Sequence, residues 1–228
     1  MKTALTIAGT DPSGGAGIQA DIKTMTANGV FATCAVTALV AQNTTGVKSI
    51  VECTPDFLAE ELDCVFTDIF PDAVKTGMVS SIPLIRVIAA KLKEYGAKNL
   101  VVDPVMGDYG RVYQTYTAAM CSGMARLAEL ADVITPNLTE AALLLGQPYE
   151  TLPAGEAGLR EITERLSLGG RRSVVLTGAS LAPGRTGAVC FDARTGKTEA
   201  VQTAYVAHEF HGTGDVFSSV LTGALVRG

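Results

Sequence analysis

Short apolar runs alternate along this chain with stretches of helical spacing, and that alternation restricts the fold more than any other feature. Ala4-Leu5-Thr6-Ile7-Ala8, Cys34–Ala41, Val47–Glu52, Ala73–Met78, Leu100–Asp103, Asp132–Thr135 and Ser173–Gly178 read as strands. Helical spacing falls between them. It appears at Ile18–Ala27, behind Pro55 in Phe57-Leu58-x-x-Glu61-Leu62-x-x-Val65-Phe66, at Pro83–Tyr95, in a helix ending near Leu130, and at Leu159–Leu166. Gly187–Asp192 and Lys197–Thr203 alternate around Ala193-Arg194-Thr195-Gly196 and predict a β-hairpin. The pattern predicts an α/β fold with a doubly wound, mostly parallel sheet flanked by helices. No linker or composition break divides the chain, so residues 1–228 are expected to form a single domain.

Hydrophobic residues at 47% against 18% charged describe an ordered, core-rich chain rather than a disordered one. The net charge of −5, with no Lys/Arg run, argues against a nucleic-acid surface. Five scattered cysteines without a Cys-x-x-Cys pair, and only two histidines, argue against zinc and for free thiols in a reducing compartment. The first apolar run is too short for a signal peptide or a membrane span. A cytoplasmic protein without membrane contact is the expectation.

Candidate site residues gather where predicted strands end. Gly9 closes the first strand, and the glycines of Thr10–Gly17 allow a ligand close to the backbone. Gly15-x-Gly17-x-x-Ala20 fits the loose dinucleotide fingerprint, but the ribose-binding acid roughly 20 positions on is missing: the second strand ends in Gln42-Asn43. Asp21 is either a surface residue near a helix start or a site residue. Gln42 is either a strand-ending turn residue or an amide facing a ring with an amine and a ring nitrogen. Asp103 and Asp108 read as an Asp/Gly turn or as oxygen ligands for a divalent cation. Asn137 and Glu140 have capping-box spacing yet lie beyond a strand's carboxyl end, as do Met78 and Thr177. His211-Gly212-Thr213-Gly214-Asp215 runs into a helix with Val216, Phe217, Val220, Leu221, Ala224 and Leu225 on one predicted core face. Asp215 is then an N-cap or a base beside an anion bound by the glycine-rich turn. Taken together the set suits phosphoryl transfer, and no Walker A motif is present.

The chain resembles the vitamin kinase branch of the ribokinase superfamily. Leu5–Asp21, Ala41-Gln42-Asn43-Thr44-Thr45-Gly46-Val47 and Val74-Lys75-Thr76-Gly77-Met78 resemble hydroxymethylpyrimidine kinases. Asp103–Asp108, Val174–Gly178 and His211–Asp215 are similar to pyridoxal or pyridoxamine kinases; hydroxymethylpyrimidine kinases usually carry Cys at the Asp215 position. The resemblance implies a ribokinase-like fold, use of ATP and Mg²⁺, and a homodimer. It places Gly9, Asp21, Gln42 and Met78 on the substrate ring, and Asp215 as base with Gly212, Thr213 and Gly214 as anion hole. Asp103, Asp108, Asn137 and Thr177 would serve the nucleotide, and Glu140 with Asp103 the metal. Phosphorylation of hydroxymethylpyrimidine and its phosphate in thiamine synthesis is the first expectation, because the ring contacts fall in the first half. Pyridoxal-type vitamers are the alternative, and a binding domain without turnover the third. Members of the superfamily continue past the last helix seen here, so a C-terminal truncation and a mosaic of two branches are further expectations.

Overall fold

The computed structural model describes residues 1–114, 116–208 and 210–228. Strands β1 (Thr3–Gly9), β2 (Phe31–Asn43), β3 (Gly46–Glu52), β4 (Ala73–Thr76) and β5 (Leu100–Val102) lie in the first half. A small ribbon, β6 (Gly107–Asp108) and β7 (Arg111–Val112), precedes β8 (Val133–Ile134), β9 (Ser173–Thr177), β10 (Arg185–Asp192) and β11 (Lys197–Ala204). Among the described residues nine strands form one sheet, in the order β11-β10-β9-β8-β5-β4-β1-β2-β3. The six from β2 to β9 run parallel, and antiparallel β3, β10 and β11 close the edges. The Gly187–Thr203 hairpin is present with its register centred on the predicted turn.

Helices α1 (Gly17–Ala27), α2 (Pro55–Asp68), α3 (Ile82–Glu94), α4 (Ala118–Ala128), α5 (Leu138–Leu145), α6 (Gly155–Leu166) and α7 (Thr213–Arg227) connect the strands. Local chemistry sets several starts: Thr54 accepts from the Phe57 amide with Pro55 behind it, and Thr117 accepts from the Met120 amide. One sheet face packs on α2 to α6 through the main core, which includes Leu5, Ile7, Leu62, Val74, Ile88, Val102, Met124, Ile134 and Ile162. The other face meets α1 and α7 through smaller clusters around Met25 and Val226, and around Val101, Val133 and Val175. Alternate residues of each parallel strand therefore face opposite cores, which is why these strands read as continuous apolar runs.

The predicted core face of the last helix needs correction. Val216, Phe217 and Val220 stand 42%, 38% and 41% exposed, while Ser218, Ser219, Thr222, Gly223 and Val226 turn inward. Only Leu221 and Leu225 of the six pack on the sheet, against the Val101–Val133–Val175 cluster. Charged groups beneath the helix demand hydroxyl donors there, and this outweighs the apolar periodicity.

Candidate functional site

The sheet order reverses at β1: its chain neighbour β2 lies on one side and β4 on the other. In open α/β sheets the crevice beyond the carboxyl ends at such a point is where ligands bind. Gly9 ends β1, and Gly77 and Met78 follow β4. A Cβ added to Gly9 would fall 2.5 Å from the Met78 methyl, so two predicted ring contacts do touch.

The glycine loop after β1 is organised by Asp11, which the sequence reading passed over. Its carboxylate accepts from Ser13 N and Oγ, Gly15 N and Ala16 N. Burial works against its charge, but hydrogen bonds from Ser13, Gln42 and the backbone hold the carboxyl well below its usual range. Gln42, half-buried on β2, thus lies beside this loop. The loop packs directly on the last turn: a Cβ on Gly212, whose φ is +81°, would fall 1.9 Å from the Gly15 carbonyl oxygen. Only glycine fits that junction, so segments some 200 residues apart in the chain share one wall.

Helix α7 begins at Thr213 with Gly212 as its N-cap, which makes Asp215 the third helical residue. The N-cap reading of Asp215 is therefore wrong. Its Oδ2 accepts from Gly17 N at 2.9 Å and its Oδ1 from Lys75 Nζ at 2.8 Å, and the side chain keeps 17% exposure. Lys75 is fully buried and also donates to Asp21 Oδ1 at 2.6 Å. Asp21 is no surface residue either: it has no exposed area and accepts further from Thr6 Oγ1 at 2.5 Å and Ser219 Oγ at 2.7 Å. Burial opposes the Lys75 charge, yet Asp215, Asp21 and Asp103 overcome it and raise its pKa, so the ammonium persists.

Asp103 is buried at the end of β5, with Ser218 Oγ donating to its Oδ2 at 3.3 Å. A Cβ on Gly214 would stand 3.6 Å from that same oxygen, which sets the helix start against Asp103. Burial pushes the Asp103 carboxyl up to about 7, with the charges of Asp215 and Asp21 adding to it against the pull of Lys75. Asn137 and Glu140 do form a reciprocal capping box at α5, and Glu140 Oε1 accepts also from Met106 N. Glu140 is buried, and burial followed by the Asp103 charge raises its pKa well above the ordinary value. Asn137 Nδ2 donates to Gly107 O, so α5 carries the β6–β7 ribbon. Asp108 is exposed on that ribbon while Asp103 is buried, and the charges of both act on Glu140. Thr177 is held to Pro136 O at the end of β9. Next to β8, the Thr135 hydroxyl is buried without a hydrogen-bond partner among the described residues. No set of three or more His, Cys, Asp or Glu side chains there is arranged as a metal site. Beside the α7 start lies an open depression of about 410 Å³, lined by His211, Gly212, Thr213, Val216, Phe217 and Val220.

Lys75, Asp11, Ser218 and Ser219 escaped the sequence reading as site residues. For Lys75 the signal was present: a lone charge inside the short buried strand Ala73-Val74-Lys75-Thr76 needs counter-charges. Ser218 and Ser219 carried no such signal, because their carboxylate partners are distant in the chain, whereas Asp11 bonds within five residues of itself, inside its own glycine loop.

A model of the phosphomethylpyrimidine kinase family matches residues 11–228. The chain belongs to that family. It is 38% identical over 224 residues to the hydroxymethylpyrimidine/phosphomethylpyrimidine kinase of Escherichia coli, covering 98% of this chain and 83% of that one. It is 42% identical over 224 residues to a thiamine biosynthesis bifunctional protein of Geobacter sulfurreducens, where 98% of this chain spans 45% of the longer protein. The phosphomethylpyrimidine kinase structure from Clostridium difficile superposes with a TM-score of 0.85 at 33% identity, covering all of this chain and 92% of that one. A Bacillus subtilis pyridoxal kinase in complex with ADP superposes at 0.84 and 32% identity, over all of this chain and 84% of its own. The ribokinase-like α/β fold expected from the sequence is thus present.

Proposed function

We propose that this phosphomethylpyrimidine kinase family member transfers the γ-phosphoryl group of ATP to the hydroxymethyl group of 4-amino-5-hydroxymethyl-2-methylpyrimidine and to its phosphate, in thiamine biosynthesis. The observation that carries the chemistry is Asp215: a partly exposed carboxylate fixed by Lys75 and Gly17, one turn inside a helix whose start is glycine-rich. It takes the proton of the substrate hydroxyl as that oxygen attacks phosphorus. The amides of Gly212, Thr213 and Gly214, at the positive end of α7, receive the charge of the migrating group. Gly9, Met78 and Gln42 line the ring side of the crevice, with Asp21 behind them bound to Lys75. The apolar depression along Val216 and Val220 has the character to accept a flat nucleotide base, with Thr177 and Asn137 on the phosphate side.

Mg²⁺ fits the donor set. Asp21, Asp103 and Asp215 act on a single ammonium, and Glu140 adds a further buried carboxylate beside Asp103. Mg²⁺ is usually held by one or two carboxylates plus phosphates and water, which agrees with the lack of a complete protein cage. Asp103 is the direct candidate. Glu140, with both oxygens already on amides, serves from behind, and the unpartnered Thr135 hydroxyl is free to bond metal-bound water or phosphate. When bound, the ion neutralises phosphate charge.

For association, Leu39 of β2 and Val51 of β3 stand directly opposite one another at 61% and 65% exposure. Such an apolar edge supports a homodimer, testable by analytical ultracentrifugation. Substrate is tested by ATP turnover with hydroxymethylpyrimidine, its phosphate and pyridoxal. The pyridoxal reading is favoured by one feature, an aspartate at 215, and turnover of pyridoxal alone establishes it over the pyrimidine reading. No turnover of any leaves a binding domain.

A further inference from the structure

Lys75 sits in the middle of β4, flanked by β1 and β5, and its side chain has no exposed area. Replacing a buried ion pair with packed apolar side chains is often neutral or stabilising, so stability alone does not account for an ammonium here. Four elements are shaped around it. Thr6 of β1 and Ser219 of α7 satisfy its partner Asp21 on α1. Gly77, just past β4, leaves room above it: a Cβ there would stand 3.3 Å from Lys75 Nζ and 3.5 Å from Asp215 Oδ1.

The two helices that border the site offer an internal comparison. Glu140 is the third residue of α5, and its carboxylate folds back to the amide of its own N-cap, Asn137. Asp215 is likewise the third residue of α7, yet it leaves its helix and reaches Lys75 and Gly17 N. A carboxylate in that position gains from the nearby helix amides, so something must hold it off them. Lys75 is the only charged donor that contacts it among the described residues.

We propose that Lys75 is the positioning residue for Asp215, tying its carboxylate through Asp21 to the sheet so that it faces the crevice rather than its own helix start. The proposal rests on Asp215 being the base, as argued above. Lys75 itself has no access to substrate. Without the ammonium, Asp215 is free to swing back to the Gly212 amide, out of line with an incoming hydroxyl.

The test is a double-mutant cycle on hydroxymethylpyrimidine phosphorylation with Lys75→Met, Asp215→Asn and both together. Misplacing a catalytic group by about 1 Å costs on the order of 10²-fold, so Lys75→Met is expected to lower kcat by that factor. KM for ATP should stay within about threefold, because a lost transition-state contact acts on kcat. In the Asp215→Asn background the same change should lower kcat less than about threefold, since the coupled group is already gone. Lys75→Met leaves Asp21 unpaired and risks the fold, so Lys75→Met/Asp21→Asn is measured against Asp21→Asn alone, with melts on every variant. Losses that multiply in the cycle, or a charge-balanced variant with kcat close to its Asp21→Asn reference, overturn the positioning role. Near-normal turnover by Asp215→Asn overturns the base assignment itself. Near-normal turnover by Lys75→Met beside an inactive Asp215→Asn overturns only the present proposal.

Discussion

Asp215→Asn separates chemistry from structure, and its cost can be worked out from the contacts. The carboxylate accepts on both oxygens, from Lys75 Nζ and from Gly17 N. An amide has one acceptor and one donor end, so it serves only one of them. The stronger partner is the ammonium, which leaves the Gly17 amide facing an NH₂ group. An unpaired donor of this kind costs about 1–3 kcal/mol. The full penalty of a broken buried ion pair, about 3–5 kcal/mol, is not reached, because Lys75 keeps Asp21. For a chain of this size 1 kcal/mol lowers Tm by about 2–4 °C, so the melt should fall by roughly 2–12 °C. Turnover should fall by about 10²–10⁴, the usual worth of a general base. The assay is hydroxymethylpyrimidine phosphorylation well below the variant's melting transition, with the melt followed by circular dichroism. A rate above about a tenth of wild type would remove Asp215 from the base role on that scale. An unchanged melting temperature would instead contradict the Lys75–Asp215–Gly17 arrangement.

Asp103 predicts a pH effect on stability with a definite sign. Its carboxyl rises from an ordinary 3.8 to about 7 on folding, so the folded chain binds the extra proton. That contribution is complete below about 3.8 and is lost as pH climbs to about 7, so Asp103→Asn should flatten the fall in thermal stability across this window. Mg²⁺ should raise Tm more at pH 8 than at pH 6, and equal shifts would argue against Asp103 as its ligand. Gly212→Ala places a Cβ 1.9 Å from Gly15 O at positive φ and should reduce turnover more than tenfold, roughly the effect of a shifted site wall. Gly196→Ala, also at positive φ but with open space around it, should cost only strain, about 1–3 kcal/mol, at full turnover. Gln42→Leu should raise KM for hydroxymethylpyrimidine by roughly 5- to 150-fold, the cost of an unpaired buried polar edge; an unchanged KM removes Gln42 from the ring site.

The architecture was legible because its signals are local. A strand buried on both faces is an apolar run, and a helix needs its start signal within one turn, as Pro55 and the Asn137–Glu140 capping box supply where expected. The carboxyl-edge rule then brought Gly9, Met78, Asp103 and Gly212–Asp215 to one crevice. What sequence could not show is pairing at long range. The hydrogen bonds from Lys75 to Asp21 and Asp215 close over 54 and 140 residues, and Ser219 reaches Asp21 over 198. Nothing in the neighbourhood of those residues marks them as partners. The same blindness explains the error in α7. Apolar spacing at Val216, Phe217, Val220 and Leu221 reads as a core face only if the core is apolar, and beneath this helix lies a fully buried ion pair. Ser218 and Ser219 face it because Asp103 and Asp21 require donors, and the helix rotates so that they meet. The apolar stripe is thereby displaced to the outside, where it walls the depression beside Gly212 and Thr213. The ion pair buried beneath the first turns of α7 has thus decided which face of that same stretch is turned outward.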